Sequence, residues 1–287
     1  MNFTDPVILA GISAITSIIT TLLIKPWIDN KFHQSKLGID FKAEQQKKIK
    51  EVLGKYKVHL IKVCDEVNHR YWNFTENYDK SEYKPNGEYL NSEYPFKSYI
   101  YRVLVVFAWI KIVEDDLIYL DTTIASKEEL DLIKYFRLLR ETITSTQIFK
   151  GFDPKYFQRD DHFSRYDLDE MIEVFVKDKN VIPYSEFKSN FSLILPVILP
   201  FCKFLDGINP QEDRLRWDRF QLFHFTLIGF LNSYGYDFQR ISENVIKQNN
   251  KRVGKNKLLH NLQEHIEYFK LGNNKEILNV IRILKSE

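Results

Sequence analysis

The sequence predicts an all-α protein in which one N-terminal transmembrane helix is followed by a cytoplasmic helical bundle. Three observations carry that expectation. Residues 7–24, VILAGISAITSIITTLLI, run for eighteen positions without a charged side chain, which at about 1.5 Å per residue just covers a hydrocarbon core of roughly 30 Å. Beyond them apolar residues recur at helical spacing, and no period-two alternation persists. Ten glycines in 287 residues, set among abundant Leu, Ile, Lys, Phe and Tyr, leave few turns for a β fold. At 44% hydrophobic and 28% charged the chain is not disordered, and its net charge of +2 gives no overall electrostatic case for nucleic acid. Cys64 and Cys202, the only cysteines, lie among apolar neighbours and are expected as reduced core thiols.

The apolar run has sharp ends. Asp5 and Pro6 supply an N-cap and a first helical position, and Lys25, Pro26 and Trp27 supply an interfacial cation and ring. An acidic leader with Lys-Pro-Trp after the run argues for an uncleaved anchor rather than a signal peptide. No Lys or Arg precedes the run, whereas Lys25, Lys31, Lys36, Lys42, Lys47, Lys48 and Lys50 follow it. The positive-inside rule then expects a single-pass protein of the inner membrane with its C-terminal part in the cytoplasm. The lipid bilayer is the expected partner, and the cations from Lys25 to Lys50 are placed to meet anionic headgroups. At 100° per residue Ala10, Ala14, Ser17 and Thr21 form one stripe, opposite Ile8, Ile12, Ile15, Ile19 and Leu23. Small residues at this spacing let membrane helices approach closely, so a homo-oligomer through the stripe is expected, with a lone anchor or a hydroxyl-lined pore as alternatives.

From Ile49 a seam runs through Leu53, Tyr56, Leu60, Val63, Val67 and Phe74 with alternating steps of four and three, and Arg70 holds the remaining slot. Tyr71 and Trp72 widen it beyond a strict coiled-coil seam, which favours a bundle helix over a parallel coiled coil. A polar loop follows at Asn77 to Asn91. A buried helix is expected over about Phe96 to Leu120 around VLVVFAWI, too short an apolar stretch to cross a bilayer. Ser126 and Glu129 form a capping box for a helix reaching about Phe149, and a short helix begins near Asp167. Pro196 and Pro200 are expected to break SLILPVILPFCKFLDG into short buried turns. Arg214 to Tyr234 is the most apolar helix of the body, ended by Gly235 as a left-handed cap. A basic loop, Lys247 to Lys257, and two terminal helices complete the chain. The expected organisation is an anchor over residues 1–30, a long amphipathic helix over 31–78 and the bundle over 79–287.

Candidate chemistry centres on DRLRWDRFQLFH, residues 213–224. Arg219 and His224 have four residues between them, a spacing similar to the Arg-x4-6-His pair with which HEPN-type ribonucleases stabilise phosphate charge and move protons. Catalysis by this pair is the alternative reading of the chain. Twelve arginines in 287 residues, tried against seven histidines at three spacings, give about one such pair by chance. Phe220 also stands where that motif favours a polar residue, and a histidine within FQLFHFTLIGFL is usually a satisfied core group. The arginines are expected to pair locally with Asp213 and Asp218 or with Asp206. Asp160, Asp161, His162, Asp167 and Asp169, and separately His260, Glu264 and His265, are carboxylate and imidazole groups of the kind metals use, at spacings that match no metal template. No metal or cofactor is therefore expected. Phosphate-binding glycine motifs and the nucleophile elbow are absent from the sequence.

NHRYWNF at 68–74, YRVLVVFAWIKIVE at 101–114, DHF at 161–163, RWDR at 216–219 and LNSYGYDFQR at 231–240 resemble a set of bacterial proteins with one N-terminal span and a helical cytoplasmic body. That resemblance implies fold and location and carries no activity. It directs attention to Arg70, Trp72, Trp217, Asp218, Arg219, Asn232, Tyr236 and Asp237, and with Arg216 the set Arg70, Trp72, Arg216, Trp217, Asp218 and Asp237 is the expected binding group. The functional expectation is a non-enzymatic, self-associating membrane protein whose cytoplasmic bundle senses or binds a ligand, by analogy of layout an effector in bacterial stress or phage defence.

Overall fold

The computed structural model describes residues 6–286, without the side chains of residues 7, 8, 23, 24, 26, 28 and 29. The expected cap at Asp5, and the side chains of Ile8 and Leu23 on the expected apolar face, lie outside this description. The described chain is all-α apart from one small hairpin. It forms two compact units: the described part of Met1–Glu51 with Leu120–Ala125, and Val52–Tyr119 with the described part of Ser126–Glu287.

The first unit holds α1 (Pro6–Ile19), a π turn (Thr20–Ile24) and the start of α2 (Lys25–Asn77). The apolar run is thus helical throughout, yet it is not one α-helix. Thr16 and Thr20 each donate their hydroxyl to the carbonyl four residues back, Ile12 at 2.6 Å and Thr16 at 2.8 Å, a contact that competes with the ladder and widens a helix. Among the described residues no helix is long and apolar enough to cross a membrane, since α1 has 14 residues and the 53-residue α2 is polar. In the same unit Gln46 donates to the Ile124 carbonyl at 2.8 Å.

The second unit contains the rest of α2, α3 (Tyr94–Leu117), α4 (Lys127–Thr144), α5 (Arg165–Glu173), α6 (Tyr184–Ser189), α7 (Phe191–Leu205), α8 (Arg216–Tyr234), α9 (Glu243–Val253), α10 (Leu259–Tyr268) and α11 (Lys275–Lys285). Leu53, Tyr56, Leu60, Val67 and Phe74 are buried together with Ile61, Cys64 and Tyr71. This chain's own helices therefore cover the seam, as a bundle requires and an intermolecular coiled coil would not. Ser126 and Glu129 exchange both bonds of the capping box that opens α4. α8 is the central helix, buried from Arg216 to Asn232 and packed against α4 and α11. Cys64 and Cys202 are both free and buried, and burial pushes the Cys202 thiol up to about 12.

Four expectations need correction. Pro196 and Pro200 sit inside an unbroken α7. They lie four residues apart on an exposed face, so the carbonyls they leave unpaired, at exposed Ser192 and Pro196, meet water while Ile194, Ile198, Phe201 and Leu205 pack inward. Gly235 is extended, with φ −71°, rather than left-handed. Glycine is required there because an added Cβ would lie 2.6 Å from the Leu231 carbonyl oxygen. Most of Lys247–Lys257 is not a loop but α9, which buries Ile246, Asn249, Asn250 and Val253. A two-stranded hairpin, β1 (Val176–Lys177) with β2 (Asn180–Val181), turns through Asp178 and Lys179 at φ 50° and 58°.

Gly229 lies where α8 packs on α11. A Cβ there would stand 2.5 Å from Ile277 Cδ1 and 3.3 Å from its Cα, so the Ile277 side chain would have to turn aside and the backbone give slightly. Gly229→Ala is expected to lower stability by about 1–3 kcal/mol, read as a shift in the urea midpoint.

Candidate functional site

The three arginines of residues 213–224 tie several segments to the start of α8. Arg214 forms an ion pair with fully buried Asp161. Arg216 chelates Glu212 through Nε, with both oxygens at 2.9 Å, and its Nη1 donates to the Phe204, Asp206 and Lys203 carbonyls at 2.8, 3.1 and 3.2 Å. It thereby places a cation on the unsatisfied C-terminus of α7. The expected pairing with the Asp206 carboxylate does not form, because that carboxylate accepts the backbone N–H groups of Asn86 and Gly87. Arg219 is wholly buried. Its Nε donates to Thr142 O at 2.8 Å, Nη1 to Asp161 O at 3.1 Å and Nη2 to Ser145 O at 2.6 Å, with the guanidinium 4.8 Å from the Phe149 ring centre. Burial lowers its pKa to about 9, with Asp161 and Glu141 opposing the shift, so the group is still charged at neutral pH.

His224 is equally enclosed. Its Nε2 bonds Asn68 Oδ1 at 2.9 Å, and its ring stacks on Tyr71 at 3.7 Å and meets Trp72 edge-on at 5.2 Å. Neither member of the Arg219–His224 pair is exposed to solvent, so the arrangement is a packed core rather than a surface that presents the pair to RNA. Burial lowers the His224 pKa to about 3. The unfolded histidine binds its proton near pH 6.5, so between about 3 and 6.5 the unfolded state holds more protons. Stability is therefore expected to fall as pH drops through that window, by about 1.4 kcal/mol for each pH unit. His224→Gln should flatten this slope in chemical denaturation curves recorded from pH 7 to 4.

The expected binding group is brought together only in part. Trp217 lies against Tyr71 and Phe74, with ring centres 6.5 and 5.8 Å apart, and Arg70 stands over Tyr83 and Tyr94 at 5.8 and 5.6 Å. Arg70 Nε and Nη2, Trp217 Nε1 and the Tyr71 and Tyr99 hydroxyls are buried without hydrogen-bond partners among the described residues. Asp218 turns elsewhere and accepts the Lys257 N–H at 2.6 Å; burial raises its carboxyl pKa. Asp237 is fully exposed beside Arg240, well apart in character from the rest. The suspected metal carboxylates diverge: Asp161 pairs with Arg214, Asp167 caps α5 through Ser164, and Asp169 pairs with Arg140 at 2.6 Å. Among the described residues no group of three or more metal-ligating side chains converges.

Sequence reasoning missed an open cleft of about 980 Å³. Glu114 of α3, Arg137, Arg140 and Glu141 of α4, and Arg165 and Asp169 of α5 line one part. Ser145, Gln147 and Lys150 follow α4, and Glu264, His265, Tyr268 and Phe269 come from the end of α10. Arg140 bridges Glu114 at 3.0 Å and Asp169 at 2.6 Å, Arg165 pairs with Glu141, and Lys150 pairs with Glu264 at 3.1 Å. Burial raises the Glu114 pKa, against the pull of Arg140 and Arg137. On the cleft wall His265 Nδ1 bonds the Asn261 carbonyl at 2.9 Å while Nε2 faces Ser145 Oγ at 3.3 Å. One of the three carbonyls held by Arg219 is that of Ser145, so the buried arginine fixes the backbone from which the cleft serine projects.

Comparison with known protein families, with curated proteins and with solved structures finds no match.

Proposed function

We propose that the chain is a membrane-anchored, self-associating protein whose second unit binds a ligand on the cytoplasmic side of the inner membrane. The observation that carries this reading is the uncharged stretch of residues 7–24. It is helical across α1 and the π turn, and its described large side chains are all open, among them Leu9 at 55%, Ile12 at 50%, Ile15 at 60% and Leu22 at 67% exposure. A contiguous apolar helix surface of this kind needs cover, and hydrocarbon supplies it over the whole circumference. The residues on both sides of the π turn keep right-handed helical backbone angles, so α1 and the turn can act as one anchor. The hydroxyls of Thr16 and Thr20 are already bonded to backbone carbonyls, which removes the cost of burying them unpaired in lipid. The lysines between Lys25 and Lys50 then favour the cytoplasmic face and contact with anionic headgroups.

Self-association rests on Ala10, Ala14, Ser17 and Thr21, which are all exposed along α1 and the turn. Ala14→Leu combined with Ser17→Leu is expected to weaken oligomers in lipid discs by about 10-fold, on the scale of 1–2 kcal/mol for such interfaces. Energy transfer between labelled chains measures it, and unchanged transfer would remove the stripe. An effector role in bacterial stress or phage defence belongs to this same proposal by analogy of layout alone.

A further inference from the structure

We infer that Ser145 and His265 form a nucleophile–base pair that cleaves esters bearing an anionic group. Three features of the cleft support it. The first is protonation. Asn261 O can only accept, so in the neutral imidazole His265 Nδ1 carries the hydrogen and Nε2 presents its lone pair. Ser145 Oγ then donates to Nε2 at 3.3 Å, the tautomer and direction that general-base activation needs, with a carbonyl as the orienting third group. A separation of this length is common before substrate binds.

The second feature is support of the serine. Its Oγ accepts the Gln147 N–H at 3.2 Å, and its own carbonyl is held by the buried Nη2 of Arg219 at 2.6 Å. The N–H stabilises developing negative charge on Oγ, while the arginine prevents the loop from drifting away from His265. Two positions 120 residues apart in sequence are thus locked to one wall of an open cleft.

The third feature is charge. Arg140, Arg165 and Lys150 are each paired with carboxylates, whereas Arg137 acts on the Glu114 carboxylate only through its field, makes no hydrogen bond or ion pair among the described residues and is exposed to the cleft. It is the cation left to meet an anionic group on the substrate.

The reaction is an acyl transfer through the serine. Ser145 Oγ bonds to the ester carbonyl carbon while its proton passes to His265 Nε2. The bond to the alcohol oxygen breaks, and Nε2 returns that proton to the departing alcohol. Water from the open cleft then attacks the acyl carbon, giving its proton to Nε2, and the Ser145 ester bond breaks with that proton returned to Oγ.

The test uses the full chain in lipid discs with a fluorophosphonate probe, whose phosphorus bonds to an activated serine as fluoride leaves. Mass mapping should place the label on Ser145, and His265→Gln should slow labelling by about 100-fold or more at an unchanged melting temperature. Ser145→Ala should abolish it. Because that variant also loses a turn-capping bond, His265→Gln is the deciding comparison. Arg137→Ala should reduce the preference for p-nitrophenyl hemisuccinate over p-nitrophenyl butyrate by about 10-fold. A folded wild-type chain that leaves Ser145 unlabelled, or labelling equally fast without His265, would overturn the proposal.

Discussion

Arg219→Met is expected to destabilise the second unit by about 3–5 kcal/mol, the largest loss from any single charged side chain in it. Arg219 donates to three buried carbonyls, those of Thr142, Asp161 and Ser145. Each carbonyl left without a donor costs roughly 1–3 kcal/mol, partly offset because the guanidinium no longer has to be desolvated. Methionine keeps much of the volume, so the loss isolates hydrogen bonding from cavity formation. Lysine should not restore stability, since one ammonium lacks the planar fork that reaches three separate acceptors. Urea denaturation measures the change. A catalytic arginine would behave in the opposite way, leaving stability nearly intact when removed, so a loss below about 1 kcal/mol would contradict the structural role assigned to it.

Ile12→Lys combined with Ile15→Lys is expected to release the chain from membranes. Both side chains are at least half exposed on α1, so their replacement removes little packing within the protein. In a lipid-embedded helix each lysine near the centre costs about 2.5–3.5 kcal/mol. The pair therefore shifts insertion by about 5–7 kcal/mol, a factor on the order of 10,000 or more. Flotation with liposomes reads the partition, and the urea midpoint of the second unit should stay where it is. If flotation were unchanged, lipid would not be what covers this helix.

Features set by local chemistry could be read directly from the sequence. The capping box at Ser126 and Glu129, the buried helix around residues 103–110 and the seam through Leu53, Tyr56 and Leu60 depend on near neighbours and helical period, and the structure contains all three. Pro196 and Pro200 misled because the penalty of a proline depends on whether the carbonyls it frees meet water, which only the packed orientation of α7 reveals. Gly235 misled in the same way: its requirement is set by the Leu231 carbonyl and not by a left-handed turn.

The cleft was legible only at one edge. His260, Glu264 and His265 drew attention as possible ligands, yet nothing in that segment points to Ser145, which reaches His265 only after α4 and α10 have packed. The arginines at 214, 216 and 219 stand out in the sequence as a unit, but their partners are mainly backbone carbonyls of other segments, which leave no trace in residue type. Trp217 and Arg70 do gather near Tyr71 and Tyr83, whereas Asp237 does not join them, because Gly235 turns the chain out of α8 before it.

Anchoring is decided by alkaline carbonate extraction of membranes from bacteria expressing the full chain. The chain should remain in the membrane pellet with integral proteins, and the Ile12→Lys, Ile15→Lys variant should move to the supernatant. Recovery of the unaltered chain in the supernatant would contradict the account.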